Sequence, residues 1–244
     1  MNDLVKRAAI MVLILGISSG AVWGAIVRNV TNDGYVTHYG TTYNAVTEQA
    51  GGGGLYVGAW KNGTGAVFQQ RSVFKWDMST ITQHVNSAVI TFLVSSSALK
   101  DSLAGNIGIS TFTTTSNGVV VPTDGGWNGG TPIPPTFSKV AFSSAQANGS
   151  TVTVDVKDWL NLAIDGHLSY FSVRLDADYL FPTLAAGLPV NSNPVCWIYA
   201  SESGANRATL TTTIPEPATL ILLGLGALAA VPRRRRPALY TALG

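Results

Sequence analysis

The segment Arg71-Ser72-Val73-Phe74-Lys75-Trp76-Asp77 alternates in character, and its two largest side chains, Phe74 and Trp76, fall on one side of an extended chain. Successive side chains of a β-strand point to opposite faces, so this spacing predicts a strand with one aromatic face. Leaving two such rings in water is unfavourable, and a second layer must therefore cover them. The segment predicts a fold in which β-sheet layers pack against each other.

The same alternation recurs along a chain that is rich in Gly, Thr, Ser, Val and Ala and poor in charge. Val152, Val154 and Val156 share one face, and so do Phe171, Val173 and Leu175. Turn residues separate the candidate strands, which are 34–37, 55–59, 71–77, 88–95, 107–113, 150–156, 170–176, 195–200 and 208–213. These features predict an all-β, jelly-roll-like antiparallel β-sandwich.

One short helix interrupts the strands. Asp155 is a suitable N-cap, Gly166 a suitable end, and Val156, Leu160, Ala163 and Ile164 fall on one side between them. We expect this helix to cover one end of the sandwich.

The C-terminal region has three consecutive parts: Pro215-Glu216-Pro217, an uncharged run from Ala218 to Val231, and the arginines Arg233, Arg234, Arg235 and Arg236. The uncharged run has fourteen residues, whereas a membrane-spanning helix needs about twenty. It is therefore a marginal anchor. The arginines would hold its end on the cytoplasmic side, which leaves the residues before Pro215 outside the cell membrane.

The N-terminal region has the pattern of a secretory signal peptide. Lys6 and Arg7 precede an apolar stretch, 8–17, and small residues follow it. Cleavage after Ala21 or after Gly24 satisfies the requirement for small residues, and an uncleaved membrane helix is disfavoured because the apolar stretch is short. The predicted organisation is a signal peptide at 1–24, a β-sandwich at 25–213 and a sorting signal at 214–244.

The exported part has nine Lys or Arg residues and eleven Asp or Glu residues, for a net charge of −2. The basic character of the precursor therefore belongs to its terminal segments, and nothing in this charge indicates a nucleic-acid partner. The one cysteine, Cys196, excludes an internal disulfide. A buried, inert thiol is the simpler interpretation of Cys196, and intermolecular pairing is the alternative.

The order of the C-terminal parts, with the core Pro215-Glu216-Pro217-Ala218-Thr219-Leu220, resembles the PEP-CTERM sorting signal of exopolysaccharide-producing Gram-negative bacteria. The resemblance implies handling by an exosortase and the secretion machinery, with transient contact of the C-terminal helix with the inner membrane. It also implies a final location in the cell envelope, on the outer surface or in the extracellular matrix and biofilm.

Four stretches of the exported part resemble the DNRLRE family of extracellular β-sandwich domains. They are Asp33-Gly34-Tyr35-Val36, the segment 71–79 that leads to 85–88, Val154-Asp155-Val156-Lys157-Asp158-Trp159, and 199–202 before Ala208-Thr209-Leu210. Trp76 stands where that family usually has phenylalanine, and Ala208 where it usually has proline. The resemblance implies a jelly-roll-like domain of surface or polysaccharide-associated proteins, some of which bind glycans without cleaving them.

We predict no catalytic residues. The histidines His38, His84 and His167 are far apart in sequence and read as surface residues, and no nucleophile elbow or paired-cysteine metal motif accompanies them. Glycoside hydrolysis needs two acids across a cleft, and the aspartates mostly occupy turn and cap positions, as Asp124 does before Gly125. A polysaccharide hydrolase or lyase is therefore the least favoured class.

Asp176 and Asp178 are two carboxylates at the end of a predicted strand, and alternation directs both to the same side. Hard oxygen ligands of this kind suit calcium. The alternative is a solvated strand end without metal. Calcium is the only cofactor that the sequence suggests.

Three aromatic residues are candidates for carbohydrate binding, because the apolar face of a sugar stacks on an exposed ring. Trp60 precedes Lys61-Asn62-Gly63, Trp127 lies in a glycine-rich stretch, and Tyr179 follows Asp178. Trp76 and Trp159 lie in periodic elements and are predicted to be core residues. The alternative for the three candidates is that they anchor long loops onto the sandwich.

The sequence therefore predicts an exported, non-enzymatic envelope or extracellular-matrix protein that associates with exopolysaccharide. A purely structural matrix component without a sugar site is the alternative. Exposed coplanar rings would favour binding, and buried rings would favour the structural role.

The two terminal signals predict that the mature exported protein lacks both ends. Intact-mass analysis of the protein from its native envelope should show a species without the N-terminal stretch and without the arginine cluster. A single exported species that retains both Met1 and Arg233 would contradict this expectation.

Overall fold

A curled antiparallel sheet makes up most of the computed structural model, which describes residues 25–39, 42–47, 54–97, 106–114, 118–125, 139–143, 147–176, 195–199 and 201–214. Within these residues the strands are β1 Ile26–Asn29, β2 Asn32–Tyr39, β3 Thr42–Thr47, β4 Gly54–Lys61, β5 Val67–Asp77, β6 Ser87–Ser97, β7 Asn106–Phe112, β8 Lys139–Ser143, β9 Thr151–Asp155, β10 Tyr170–Asp176, β11 Val195–Tyr199 and β12 Thr209–Thr213. The helix α1 spans Lys157–Asp165, and 3₁₀ turns span Pro122–Gly125 and Ser201–Asn206.

These strands belong to the compact unit Gly24–Ile214, and the terminal segments on either side of it lie outside the described residues. Among the residues that the structure describes, no helix is long and apolar enough to cross a membrane.

The strand order is β1-β12-β6-β11-β4-β5-β10-β7-β8, with β2 paired to β5, β3 to β2 and β9 to β6. The long strand β6 connects two parts of this path, since Ser87 to Thr91 pair with β12 while Val94 to Ser97 pair with β11. The sheet therefore curls so that its inner faces enclose one core. The all-β antiparallel class with a single short helix is confirmed.

The core forms where the predicted aromatic face of β5 meets β6 and β10. Register places Phe171 opposite Trp76 and Val173 opposite Phe74. The rings of Phe74 and Phe92 lie 5.0 Å apart between centroids, and those of Trp76 and Phe171 lie 6.2 Å apart. All of these side chains are fully buried. The core assignment of Trp76 and of Trp159, which is 5% exposed, is confirmed.

Helix α1 covers part of this core with Leu160 and Ala163, while Ile164 packs at its margin. The N-cap position is Val156 rather than the predicted Asp155, but the Asp155 carboxylate still accepts a hydrogen bond of 2.9 Å from the Lys157 backbone N–H. Gly166 follows the last helical residue as predicted. It keeps φ at −76°, and the left-handed conformation passes to His167, at φ 50°.

All nine predicted strands are present, whereas β1, β3 and β8 were not predicted. Strand β1 has four residues and pairs with β12 at one margin of the sheet. Its Val27 side chain is 60% exposed, so burial produces no regular alternation there. Strand β3 is largely polar, with the sequence Thr-Tyr-Asn-Ala-Val-Thr. Its position depends on pairing with β2 rather than on a pattern of its own.

Replacing Trp76 by alanine should lower the free energy of unfolding by about 3–5 kcal/mol, because it leaves a large cavity in the aromatic core. Trp76→Phe should cost much less. It keeps most of the buried ring and removes an indole N–H that has no hydrogen-bond partner in the described part of the chain. Chemical denaturation of each variant measures the difference.

Leu162→Ala is the matched control, since Leu162 lies on the solvent side of α1 and is 42% exposed. Its unfolding free energy should stay close to that of the unmodified protein. An unchanged midpoint for Trp76→Ala would show that the aromatic face is not the stabilising one.

Candidate functional site: buried charges and a surface groove

The second face of β5 carries charged residues that are also buried. Arg71 and Lys75 lie on the side opposite Phe74 and Trp76, and they are 9% and 0% exposed. A small apolar cluster of Val36, Val73, Phe112 and Val120 lies on this face. Strand β5 is therefore covered on both sides, which its alternation alone does not reveal.

Lys75 donates hydrogen bonds to oxygen atoms of three described residues. Its Nζ donates to Asp124 Oδ2 at 2.7 Å, to the carbonyl oxygen of Val119 at 2.8 Å and to Thr114 Oγ1 at 2.9 Å. The side chains of Lys75 and Asp124 are 0% and 3% exposed. Burial lowers the pKa of Lys75, and the hydrogen bond and charge of Asp124 oppose that shift.

Asp124 occupies the 3₁₀ turn Pro122–Gly125, which agrees with its prediction as a turn residue. Its carboxylate does more than shape the turn. Oδ2 accepts a hydrogen bond of 2.9 Å from the Val121 backbone N–H, and Oδ1 accepts one of 3.0 Å from Thr114 Oγ1. The pairing with Lys75 escaped sequence analysis, because the two residues are 49 positions apart.

A second buried cluster joins β5 to β10. Asp176 Oδ2 lies 3.6 Å from Arg71 Nε and 4.0 Å from Arg174 Nε. The guanidinium carbon of Arg174 lies 5.6 Å from the centroid of the Phe112 ring. Burial is the main cause that lowers the pKa of Arg71 to about 10. The negative charge of Asp176 opposes this shift, and the positive charge of Arg174 adds to it. Arg71 also donates through Nη1 to the carbonyl oxygen of Gly125, in the turn that holds Asp124.

The calcium hypothesis for Asp176 and Asp178 stays a prediction, because Asp178 lies outside the described residues. Asp176 is 8% exposed, so it is not the solvated strand end that was the alternative. One of its oxygens faces two guanidinium groups rather than open solvent. In the described part of the chain, no three His, Cys, Asp or Glu side chains are grouped to hold a metal ion.

The predicted carbohydrate-binding residues are only partly placed. Trp60 lies in β4 opposite Phe68 of β5, just before the hairpin turn in which the Asn62 side chain accepts hydrogen bonds from Thr64 and Ala66. Only its backbone is described. Trp127 and Tyr179 lie outside the described residues, as does the side chain of His38.

A surface groove of about 380 Å³ lies between the loop that follows β5 and the turn between α1 and β10. Its polar lining includes Asp77, Ser79, Thr82, His167 and Ser169, and its apolar lining includes Met78, Ile81, Ile164 and Leu168. The volume is within the range of small-ligand sites, about 300–1,000 Å³. Sequence analysis missed this groove because its two walls are far apart in the chain.

The two walls of the groove are fastened together. The Met78 backbone N–H donates to the Ser169 carbonyl at 3.0 Å, and Asn161 exchanges two hydrogen bonds with the Val85 backbone. His84 Nε2 lies 2.6 Å from Asp165 Oδ1 in an exposed pair. His167 lines the groove in a left-handed conformation that is uncommon for residues other than glycine. Hydrogen bonds therefore hold the loop after β5 against α1 and the turn that follows it, and these segments line the groove.

Comparison with known proteins identifies the C-terminal region. Residues 213–236 match the PEP-CTERM protein-sorting motif. The matched range contains the predicted sorting residues, Pro215-Glu216-Pro217 and Arg233 to Arg236, and it begins at the last residue of β12. No curated protein matches the chain. The motif indicates an exported, envelope-associated protein that is sorted by an exosortase.

Asp176→Asn should lower the free energy of unfolding by about 3–5 kcal/mol, because it removes a carboxylate charge that faces two buried guanidinium groups. Within the described residues, Nε and Nη1 of Arg174 already have no hydrogen-bond acceptor. Urea denaturation measures the effect.

Asp165→Asn is the matched control, since the Asp165 and His84 side chains are 60% and 57% exposed. Loss of an exposed pair of this kind should change stability by about 1 kcal/mol or less. Equal effects of the two substitutions would contradict a stabilising role for the buried cluster.

Proposed function

We propose that the exported domain is a non-enzymatic component of the cell envelope or extracellular matrix that associates with exopolysaccharide. The observation that carries this proposal is the sorting motif at residues 213–236, which directly follows the last strand of the β-domain. A protein delivered in this way works among the polymers outside the cell. The resemblance of the domain to DNRLRE sandwiches supports the same role, because some relatives in that family bind glycans.

Trp60 is the aromatic candidate whose backbone the structure describes. It lies near the end of β4, immediately before the hairpin turn that begins at Asn62. Rings at the ends of strands are well placed to stack on a sugar while loop groups bind its hydroxyls. Trp127 and Tyr179 complete this set of candidates.

The groove between Asp77 and Ser169 is a second place where a sugar residue would fit. Its lining combines hydroxyls, an imidazole and a carboxylate with apolar side chains, and this mixture suits the hydroxyls and the C–H face of a sugar. The Asp77 carboxylate disfavours an acidic sugar there, so a neutral sugar is the better match.

The alternative function is a structural matrix component that has no sugar site. The buried ion pairs and the aromatic core favour a rigid module of this kind. A hydrolase or lyase is the third hypothesis. Glycoside hydrolysis uses two carboxylates across the bond, and the described lining of the groove contributes one, Asp77.

Replacing Trp60 or Trp127 by alanine should weaken polysaccharide binding about tenfold or more, or about 1.4 kcal/mol, if the rings stack on sugar. The thermal transition should stay nearly intact, because a stacking ring does not support the fold. Binding is measured with the mature exported protein on a panel of exopolysaccharides, and melting is followed by circular dichroism.

Asp77→Asn and His167→Gly are the comparison variants for the groove. Retained affinity in a folded Trp60→Ala, Trp127→Ala double variant, with loss of affinity in the groove variants, would move the site to the groove. Lower stability without a specific loss of affinity would show that the tryptophans anchor loops. Absence of binding to every polysaccharide would favour the structural component.

A further inference from the structure

The contact between Lys75 and Asp124 joins a primary amine to a carboxyl group in a place that water does not reach. The Nζ–Oδ2 distance is 2.7 Å, and the two side chains are 0% and 3% exposed. An amine and a carboxylic acid condense to an amide with release of one water molecule. In water this reaction is unfavourable, but a buried site that excludes water favours the condensed product and protects it from hydrolysis.

Condensation requires a neutral amine and a protonated carboxyl group, and Thr114 is placed to transfer the proton between them. Lys75 Nζ donates to Thr114 Oγ1 at 2.9 Å, and Thr114 Oγ1 donates to Asp124 Oδ1 at 3.0 Å. The Thr114 hydroxyl thus bridges Lys75 Nζ and Asp124 Oδ1. Burial lowers the pKa of Lys75, which favours the neutral amine that attacks.

The Val121 backbone N–H provides the other element that such a reaction needs. It donates to Asp124 Oδ2 at 2.9 Å. Attack of the amine on the carboxyl carbon places negative charge on one oxygen, and a fixed N–H donor stabilises that charge. Amine, proton relay and oxyanion donor therefore surround one carboxyl group.

We propose that Lys75 and Asp124 join in an intramolecular isopeptide bond. The Nζ lone pair forms the new bond to Cγ, and the Cγ–Oδ1 bond breaks after Oδ1 receives a proton through Thr114. Two protons that come from the Lys75 ammonium group leave together with Oδ1 as one water molecule. No oxidant or reductant takes part. Oδ2 becomes the amide oxygen and keeps its hydrogen bond from Val121.

The remaining N–H on Nζ still has an acceptor, since the Val119 carbonyl oxygen lies 2.8 Å from Nζ. The product amide therefore keeps an acceptor for its N–H and a donor for its oxygen. It replaces two buried charges by a neutral amide, which removes their desolvation cost. The bond would tie β5 to the turn Pro122–Gly125, across 49 residues.

A cross-link of this kind suits an exported domain whose only cysteine is Cys196. No internal disulfide is available to close a loop in this chain. An isopeptide bond restricts the unfolded chain in the same way and does not depend on the redox state of the surroundings.

Peptide mass mapping of the full-length protein tests the proposal directly. After denaturation and trypsin digestion, a linked Lys75 is not cleaved, so the peptides 72–100 and 101–139 should appear as one species. The mass of that species should equal their sum less one water, and fragmentation should place the link at Lys75 and Asp124. Complete cleavage at Lys75, which gives the separate peptides 72–75, 76–100 and 101–139, would overturn the proposal.

Two variants separate the chemistry from the fold. Lys75→Arg keeps a cation beside Asp124 but has no primary amine, so it should yield only unlinked peptides. Thr114→Val should form the link about 100-fold more slowly or not at all, because the proton relay is lost. The matched control, Thr113→Val, should form the link at the rate of the unmodified protein. Equal rates in Thr114→Val and Thr113→Val would overturn the role of Thr114.

Discussion

Strand β5 is buried on both faces, and the rest of the structure depends on how each face is covered. On one side, Phe74 and Trp76 meet aromatic and aliphatic side chains from β6 and β10. On the other side, Lys75 and Arg71 have carboxylate and carbonyl partners. A buried ammonium group without such partners would cost several kilocalories per mole. The chain around Val119 and Asp124 must therefore return to this face for the fold to form.

The two charged clusters are connected through the same few elements. Arg71 contacts Asp176 of β10 and the carbonyl oxygen of Gly125, which follows Asp124 in the 3₁₀ turn. The small apolar cluster that includes Val73 and Phe112 lies on the same face. The apolar cluster and the ion pairs therefore share this face of β5, and together they exclude water from it. This arrangement orients β2, β5, β7 and β10 without any disulfide.

The sorting motif lies next to the folded domain in the sequence. The motif at 213–236 begins where β12 ends, so the sorting signal follows the β-domain without a long linker. A domain that works outside the cell has to keep its structure there. A core that joins the layers of a curled sheet, with buried ion pairs behind one strand, suits that demand. The groove beside α1 adds a surface with both polar and apolar lining, which we propose as a place for a sugar residue.

Much of the fold was predictable from local pattern. The alternation in β5, β9 and β10 identified strands and their inward side chains, and the terminal charge and hydropathy patterns identified the sorting signal. The positions of Trp76 and Trp159 followed from the same periodicity. Strands β1, β3 and β8 were missed. The conformation of β1 and β3 is determined by their pairing partners rather than by their own sequence.

The candidate sites depended on tertiary structure. A period of two residues shows which side chains share a face, but it does not show what covers that face. Alternation placed Lys75 on the face opposite Phe74 and Trp76 without showing what covers it, and Asp124 was predicted only as a turn residue. Only the closed sheet brings these two side chains, 49 residues apart, to 2.7 Å. The sequence by itself determined nine of the described strands, the aromatic core and the sorting signal, because these depend on neighbouring residues. The buried ion pairs and the groove were decided by tertiary structure, because their energy comes from groups that meet only when water is excluded.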